Sequence, residues 1–202
     1  MQAAAQAATT IPEIGQPYGG GFVSGYYMQD GKRHVSITSG AEHELVGEWG
    51  EYGVKIEGAD SLTDSRANTE AMAAAGSELA QQVLALKIGG HADWAIPARD
   101  VQEQQYRNLK PTTDENYCWG RDGENNSSIP PGELYSEESP AQTSVEAFKA
   151  GGAEAFQPRA YWSSTQRSAG YAFTMVFYGG GQDGYGKLTE LRVRPVRSQL
   201  ID

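Results

Sequence analysis

Ala160-Tyr-Trp-Ser-Ser-Thr-Gln166 and Leu191-Arg-Val-Arg-Pro-Val-Arg197 bracket the part of the chain from which the fold is read most directly. Between them Tyr171–Tyr178 alternates, with Tyr171, Phe173, Met175 and Phe177 on one face and Ala172, Thr174, Val176 and Tyr178 on the other. Gly179-Gly-Gly-Gln-Asp-Gly-Tyr-Gly186 follows as a glycine-rich turn, expected to be flexible and exposed, and Leu188–Val196 reads as the last strand. Pro195 has no backbone N–H, so it confines the end of that strand to an edge or a terminus. Trp162-Ser-Ser-Thr165 reads as a turn leading into this closing β-meander.

Working back from there, Phe22–Met28 and Arg33–Thr38 flank Asp30-Gly31, the signature of a tight β-hairpin. Leu45–Ile56 reads as further strand, with Trp49 and Tyr52 available to the core. Thr69–Leu86 sets Met72, Leu79, Val83 and Leu86 at helical spacings and predicts one long helix, stopped by Gly89-Gly90. A second helix is predicted over Ala98–Leu109, with Val101, Tyr106 and Leu109 as its buried stripe and Lys110-Pro111 as its stop. Thr112–Glu138 is a polar insert too long for a simple connection, and it reads as a folded surface loop. Ser139-Pro-Ala-Gln142 has the spacing of a capping box and predicts a short helix ending at Gly151-Gly152. The order of hairpin, helices, loop, helix and meander is that of an α+β domain. Residues 1–14 read as an N-terminal arm and 15–202 as a single domain.

Composition narrows the chemistry. The chain of 202 residues carries a formal charge of −10, with an acidic body and a basic C-terminal segment. An acidic body argues against nucleic-acid binding, which needs a basic face for phosphate. With Cys118 as the single cysteine there is no intrachain disulfide, and one Cys with His34, His43 and His91 gives no zinc-ligand spacing. No apolar run reaches membrane-spanning length, and Met1–Thr10 lacks the basic start and apolar core of a secretory signal. Ser163 and Ser164 have no His near them in sequence, and no pair among the 26 acids is singled out by spacing, so no enzyme is expected. No cofactor and no metal site is expected either.

Five motifs occur in order: Asp93-Trp-Ala-Ile-Pro-Ala-Arg99, Tyr106-Arg-Asn-Leu-Lys-Pro111, Ser139-Pro-Ala-Gln-Thr-Ser144, Tyr161-Trp-Ser-Ser-Thr165 and Arg192-Val-Arg-Pro-Val-Arg197. So arranged, the chain resembles the DUF1566 or Lcl C-terminal family of C-type-lectin-like domains, which is common in bacteria and tailed bacteriophages. The resemblance covers roughly residues 15–197. It implies a C-type-lectin-like fold, with two main helices beside a small, mostly antiparallel sheet and long ligand-facing loops. In that picture Trp162 is core, and Arg192, Arg194 and Arg197 pair with carboxylates of the acidic body.

The sugar-binding tripeptides of calcium-dependent lectins, Glu-Pro-Asn, Gln-Pro-Asp and Trp-Asn-Asp, are absent, and no calcium is expected. Formylglycine-generating relatives of the fold need paired thiols or copper, which one Cys118 does not supply. The lack of Asn after Asn126 argues against a retroelement-diversified adhesin.

The resemblance implies a virion protein of the phage tail or tail fibre, assembled in the host cytoplasm and contributing to host-surface recognition. Its expected partners are other tail or fibre proteins, reached through the N-terminal arm, and a host glycan or other receptor. Analogy with fibre proteins suggests a homotrimer. Tyr178, Gln182, Asp183, Tyr185 and Lys187 are the candidate binding residues, because stacking rings beside hydrogen-bonding arms suit sugars. The alternatives are a structural module that caps, decorates or joins a fibre or baseplate and, less favoured, a polysaccharide-degrading enzyme.

Overall fold

Asp30 and Gly31 both take positive φ, 51° and 72°, the backbone that a tight hairpin turn requires. The strands they join are the first long elements of the computed structural model, which describes residues 12–201. Along the chain come β1 (Pro17–Tyr18), β2 (Gly21–Gln29), β3 (Lys32–Thr38), β4 (Leu45–Gly47), α1 (Ser65–Ala74), α2 (Glu78–Leu84) and α3 (Arg99–Leu109). Then follow β5 (Ala160–Gln166), β6 (Tyr171–Val176), β7 (Gly184–Gly186), β8 (Leu191–Val193) and β9 (Val196–Ile201). The fold is α+β.

Where one small sheet with two helices was expected, the described residues form two sheets with three helices. One sheet has the order β1-β2-β3-β9, and the other β4-β8-β5-β6-β7. All pairings are antiparallel except the contact of β5 with β8, where Tyr161 lies beside Arg192.

β5 is central to the second sheet, and it is a strand where the sequence suggested a turn. Its residues from Tyr161 to Gln166 are all buried, so it shows no in–out alternation. Trp162 packs with Trp49, Met72, Leu79, Val83 and Val193, on the side of α1 and α2. Tyr161, the preceding residue, packs into a ring cluster with Tyr106, Phe148, Phe156 and Phe177. Successive side chains thus reach opposite faces, and both faces are covered. The polar members of β5 lie buried because each finds a partner. Thr165 Oγ1 donates to the Ser61 carbonyl at 2.7 Å, Asn68 Nδ2 donates to Ser164 Oγ at 3.3 Å, and Gln166 bonds both the N–H and the carbonyl of Ile56.

Arg194 and Pro195 mark the crossing from one sheet to the other. β8 ends at Val193, and β9 pairs with β3 from Val196 to Ile201, so the expected single strand Leu188–Val196 is two strands split at the proline. The side chain of Arg194 is 1% exposed, and its Nε and Nη2 donate to Glu44 Oε1 at 2.9 and 2.7 Å. Its guanidinium lies 4.4 Å from the centre of the Phe156 ring. Glu44 also takes Arg192 at 3.1 Å and the Tyr161 hydroxyl at 2.8 Å. Arg197 forks onto both oxygens of Asp93, at 2.8 and 3.0 Å. The arginines of the closing motif are therefore scaffold, paired as the acidic body allows.

Other expectations are corrected. The long helix over Thr69–Leu86 is two helices, because Gly76 sits at φ 96° and Ser77 caps α2 by accepting from the Ala80 N–H. Ser77 Oγ also donates to the Trp49 carbonyl, fixing the break against the core. α1 begins earlier than predicted because Asp64 caps it, accepting from the Ala67 N–H.

Within Leu45–Ile56 only β4 is strand. Trp49 is buried there as expected, and Tyr52 is exposed. The capping box at Ser139 starts no α-helix: Gln142 Nε2 donates to the Pro111 carbonyl instead of returning to Ser139, and only a 3-10 turn forms at Glu146–Phe148. The predicted arm lies largely outside the described residues. Of its last residues, Ile14 packs on the core and the Pro12 carbonyl accepts from the Tyr26 hydroxyl.

Two measurements test this frame. Arg194→Met keeps apolar volume on Phe156 and strips Glu44 of its fork, so chemical denaturation should show a loss of about 3–5 kcal/mol. Burial raises the Tyr27 phenol from 10.0 to about 12 and also raises Tyr106, Tyr135 and Tyr161. The unfolded chain loses these protons first. The tyrosine contribution to stability should therefore be constant below about pH 10 and fall as pH rises from there to about 12, by roughly 2–3 kcal/mol for Tyr27 alone, as read by denaturant midpoints at stepped pH against a Tyr27→Phe variant.

Candidate functional site

An open cleft of about 1090 Å³ lies where the polar insert meets β6, β7 and the loop between them. The insert supplies Tyr117, Trp119, Asp122 and Glu124, and the start of α3 supplies Arg99 and Asp100. Phe173 comes from β6, while Tyr178, Gln182, Asp183 and Tyr185 come from the segment after it.

The insert has almost no regular structure of its own, yet it is fastened on three sides. Against β2, the Met28 N–H donates to Ser127 at 2.7 Å and the Ile129 N–H to Tyr26 at 2.8 Å. Against the loop after β6, the Tyr117 N–H donates to Gly179 at 2.7 Å. The third anchor is α3. Its Glu103 is fully buried and accepts from Asn125 Nδ2 at 2.7 Å and from the Tyr135 hydroxyl at 2.8 Å. Arg107 completes it by bonding Glu103 and the Gly123 and Glu133 carbonyls. Burial raises the Glu103 carboxyl, opposed mainly by the Arg107 charge.

A reciprocal latch closes the floor of the cleft. Gln182 Oε1 accepts from the Gly123 N–H at 3.0 Å and from Arg99 Nη2 at 3.2 Å, while the Gln182 N–H donates to Asp122 Oδ1 at 3.0 Å. Burial pushes the Asp122 carboxyl up, against the backbone N–H groups of Gln182 and Trp119 that favour its charged form. Asp100 is likewise raised by burial and held by Ser127 Oγ at 2.8 Å and Arg99 at 2.8 Å.

Of the residues chosen from sequence, Tyr178, Gln182, Asp183 and Tyr185 come together on this cleft. Tyr178 and Tyr185 are partly exposed there, and Asp183 pairs with Arg167 at 2.9 Å. Gln182 is a strut between two loops. Lys187 is misassigned: it is 0% exposed, its Nζ donates to the Val54 carbonyl at 2.7 Å and lies 4.4 Å from the centre of the Trp49 ring. Burial lowers its pKa. It supports the core beneath β5 and does not face the cleft. The segment 179–186 is also no free turn, since β7 pairs with β6 and Gly179 and Gly180 are buried.

The sequence reading missed Trp119 and Tyr117. Trp119 is 79% exposed, and Tyr117 meets Tyr178 edge-to-face at 6.1 Å. Their signal was two large rings close together near the start of a mainly polar insert, where no helix or strand was predicted to bury them.

Among the described residues no three His, Cys, Asp or Glu side chains gather as a metal-binding group, and no helix is long and apolar enough to cross a membrane. Comparison of the chain with models of protein families, with curated proteins and with solved structures finds no match.

The latch gives a direct check. Gln182→Ala removes acceptors from Gly123 and Arg99, and should speed amide hydrogen exchange at Gly123 about tenfold, while amides of β3 keep their protection.

Proposed function

We propose that this chain is a recognition module of the C-type-lectin-like type, binding a bacterial surface glycan in the cleft between the insert and β6. The single observation that carries the reading is the set of ring faces left open on that cleft. Trp119 is largely in water, and Tyr117, Tyr178 and Tyr185 are each partly exposed around the same cavity. Rings in water cost free energy, and a sugar offers apolar ring faces to stack on them with hydroxyls for neighbouring polar groups. The volume, about 1090 Å³, suits several sugar units. Its walls are tied by hydrogen bonds to α3 and β2, so little ordering cost is left for binding.

The setting in a phage tail or fibre rests on the ordered motifs, from Asp93-Trp-Ala-Ile-Pro97 to Arg192-Val-Arg-Pro-Val-Arg197. In that setting the domain contributes to attachment and performs no chemistry.

The test is adsorption of purified protein to host cells with and without their surface polysaccharide. Wild-type protein should bind the first and not the second. Trp119→Ala and Tyr178→Ala should each weaken binding roughly fivefold, about 1 kcal/mol, with unchanged thermal unfolding. Equal binding to both cell types would sink the glycan reading. Virion density showing the cleft buried between other proteins would replace it with a purely structural role.

A further inference from the structure

The charges on the cleft are already spoken for. Arg99 Nη1 lies 2.8 Å from Asp100, Arg167 Nη1 lies 2.9 Å from Asp183, and Arg121 pairs with Glu124. Asp122 is a fourth carboxylate on the same lining, and among the described residues it forms no ion pair. Each guanidinium of the lining is therefore balanced by a carboxylate, and the lining as a whole carries one excess negative charge. An acidic sugar reaching any of these arginines would lie beside the carboxylate that already pairs with it, and would approach Asp122 as well. An amine-bearing ligand is served little better, because Asp122 already accepts backbone N–H groups and sits at the latch.

The rings sort in the same way. Arg99 and Arg167 each lie 5.9 Å from the centre of Phe173, so that ring is covered by cations from within the protein. The rings without a cation over them are Trp119, largely in solvent, and Tyr117, Tyr178 and Tyr185, each partly exposed. Gln182 uses its Oε1 in the latch, which leaves its Nε2 as a neutral donor for a ligand hydroxyl.

We infer that the cleft selects neutral oligosaccharides, built of uncharged pyranose units, over acidic or amine-bearing ones. The inference rests on the glycan reading above and names its ligand class. Internal pairing of arginines sets the selection: each guanidinium comes with a carboxylate beside it, so its charge is balanced before a ligand arrives.

The labelled full chain, applied to an array of neutral, carboxylated or sulfated, and amine-bearing oligosaccharides, tests it. Neutral members should bind, with affinity changing by less than about twofold between about 50 and about 500 mM salt. Binding confined to charged members overturns the inference and leaves the glycan reading standing, while binding to no member overturns both. In a second arm, Glu124→Gln combined with Asp183→Asn releases Arg121 and Arg167. This variant should gain about tenfold for carboxylated members. If it unfolds at the wild-type temperature and gains nothing, pairing does not set the ligand class, and the inference falls.

Discussion

The carboxylate of Glu44 holds the place where the chain leaves one sheet and enters the other. It receives a fork from Arg194, a second guanidinium from Arg192 in β8, and the hydroxyl of Tyr161 in β5. Pro195 follows at once, and it has no N–H with which to continue the β8 ladder. Removing one member of such a buried pair leaves the other charged and unsolvated, so any placement of the two segments that separates them is penalised. Both sheets, and the ring cluster under Phe156, take their relative placement from this junction.

The same economy of polar groups organises α3. Its first and middle turns bury Asp100, Gln102, Glu103, Gln104 and Gln105, an unusual load for a core helix. Most serve as sockets: Gln102 bonds the carbonyls of Tyr161 and Trp162, Gln105 bonds Thr38 and Arg194, and Glu103 holds the insert. Strands and insert are fitted to one helix by directional bonds, so the cleft inherits its shape from the interior of the domain. The rim residues need only be carried.

Local signals in the sequence were read well where local chemistry decided the outcome. Asp30-Gly31 made its hairpin and Lys110-Pro111 ended α3, because turn geometry and a missing N–H do not depend on distant partners. Elsewhere tertiary bonds overruled local pattern. Ser77 met the Trp49 carbonyl and split a helix, and Gln142 met Pro111 and left a capping box unused. Ser164 and Thr165 look like turn residues until their partners from α1 and the preceding loop are seen. Part of the candidate site was visible because Tyr178 and Tyr185 lie close in sequence. Lys187 was misplaced by the same closeness, since only the fold shows Trp49 waiting for it. Trp119 was overlooked because the insert is far from the closing strands in sequence and meets them only through Gly179 and Gln182.

The distribution of tryptophan has a practical consequence. Trp49, Trp94 and Trp162 are wholly buried in two of the apolar clusters of the core, while Trp119 stands in water at the mouth of the cleft. Three indoles therefore emit from an apolar interior and one from solvent. Occupation of the cleft would blue-shift or quench the red edge of the emission alone, whereas loss of the fold would move the other three. The protein carries separate optical reporters for its site and for its frame, and no label is needed to tell the two apart.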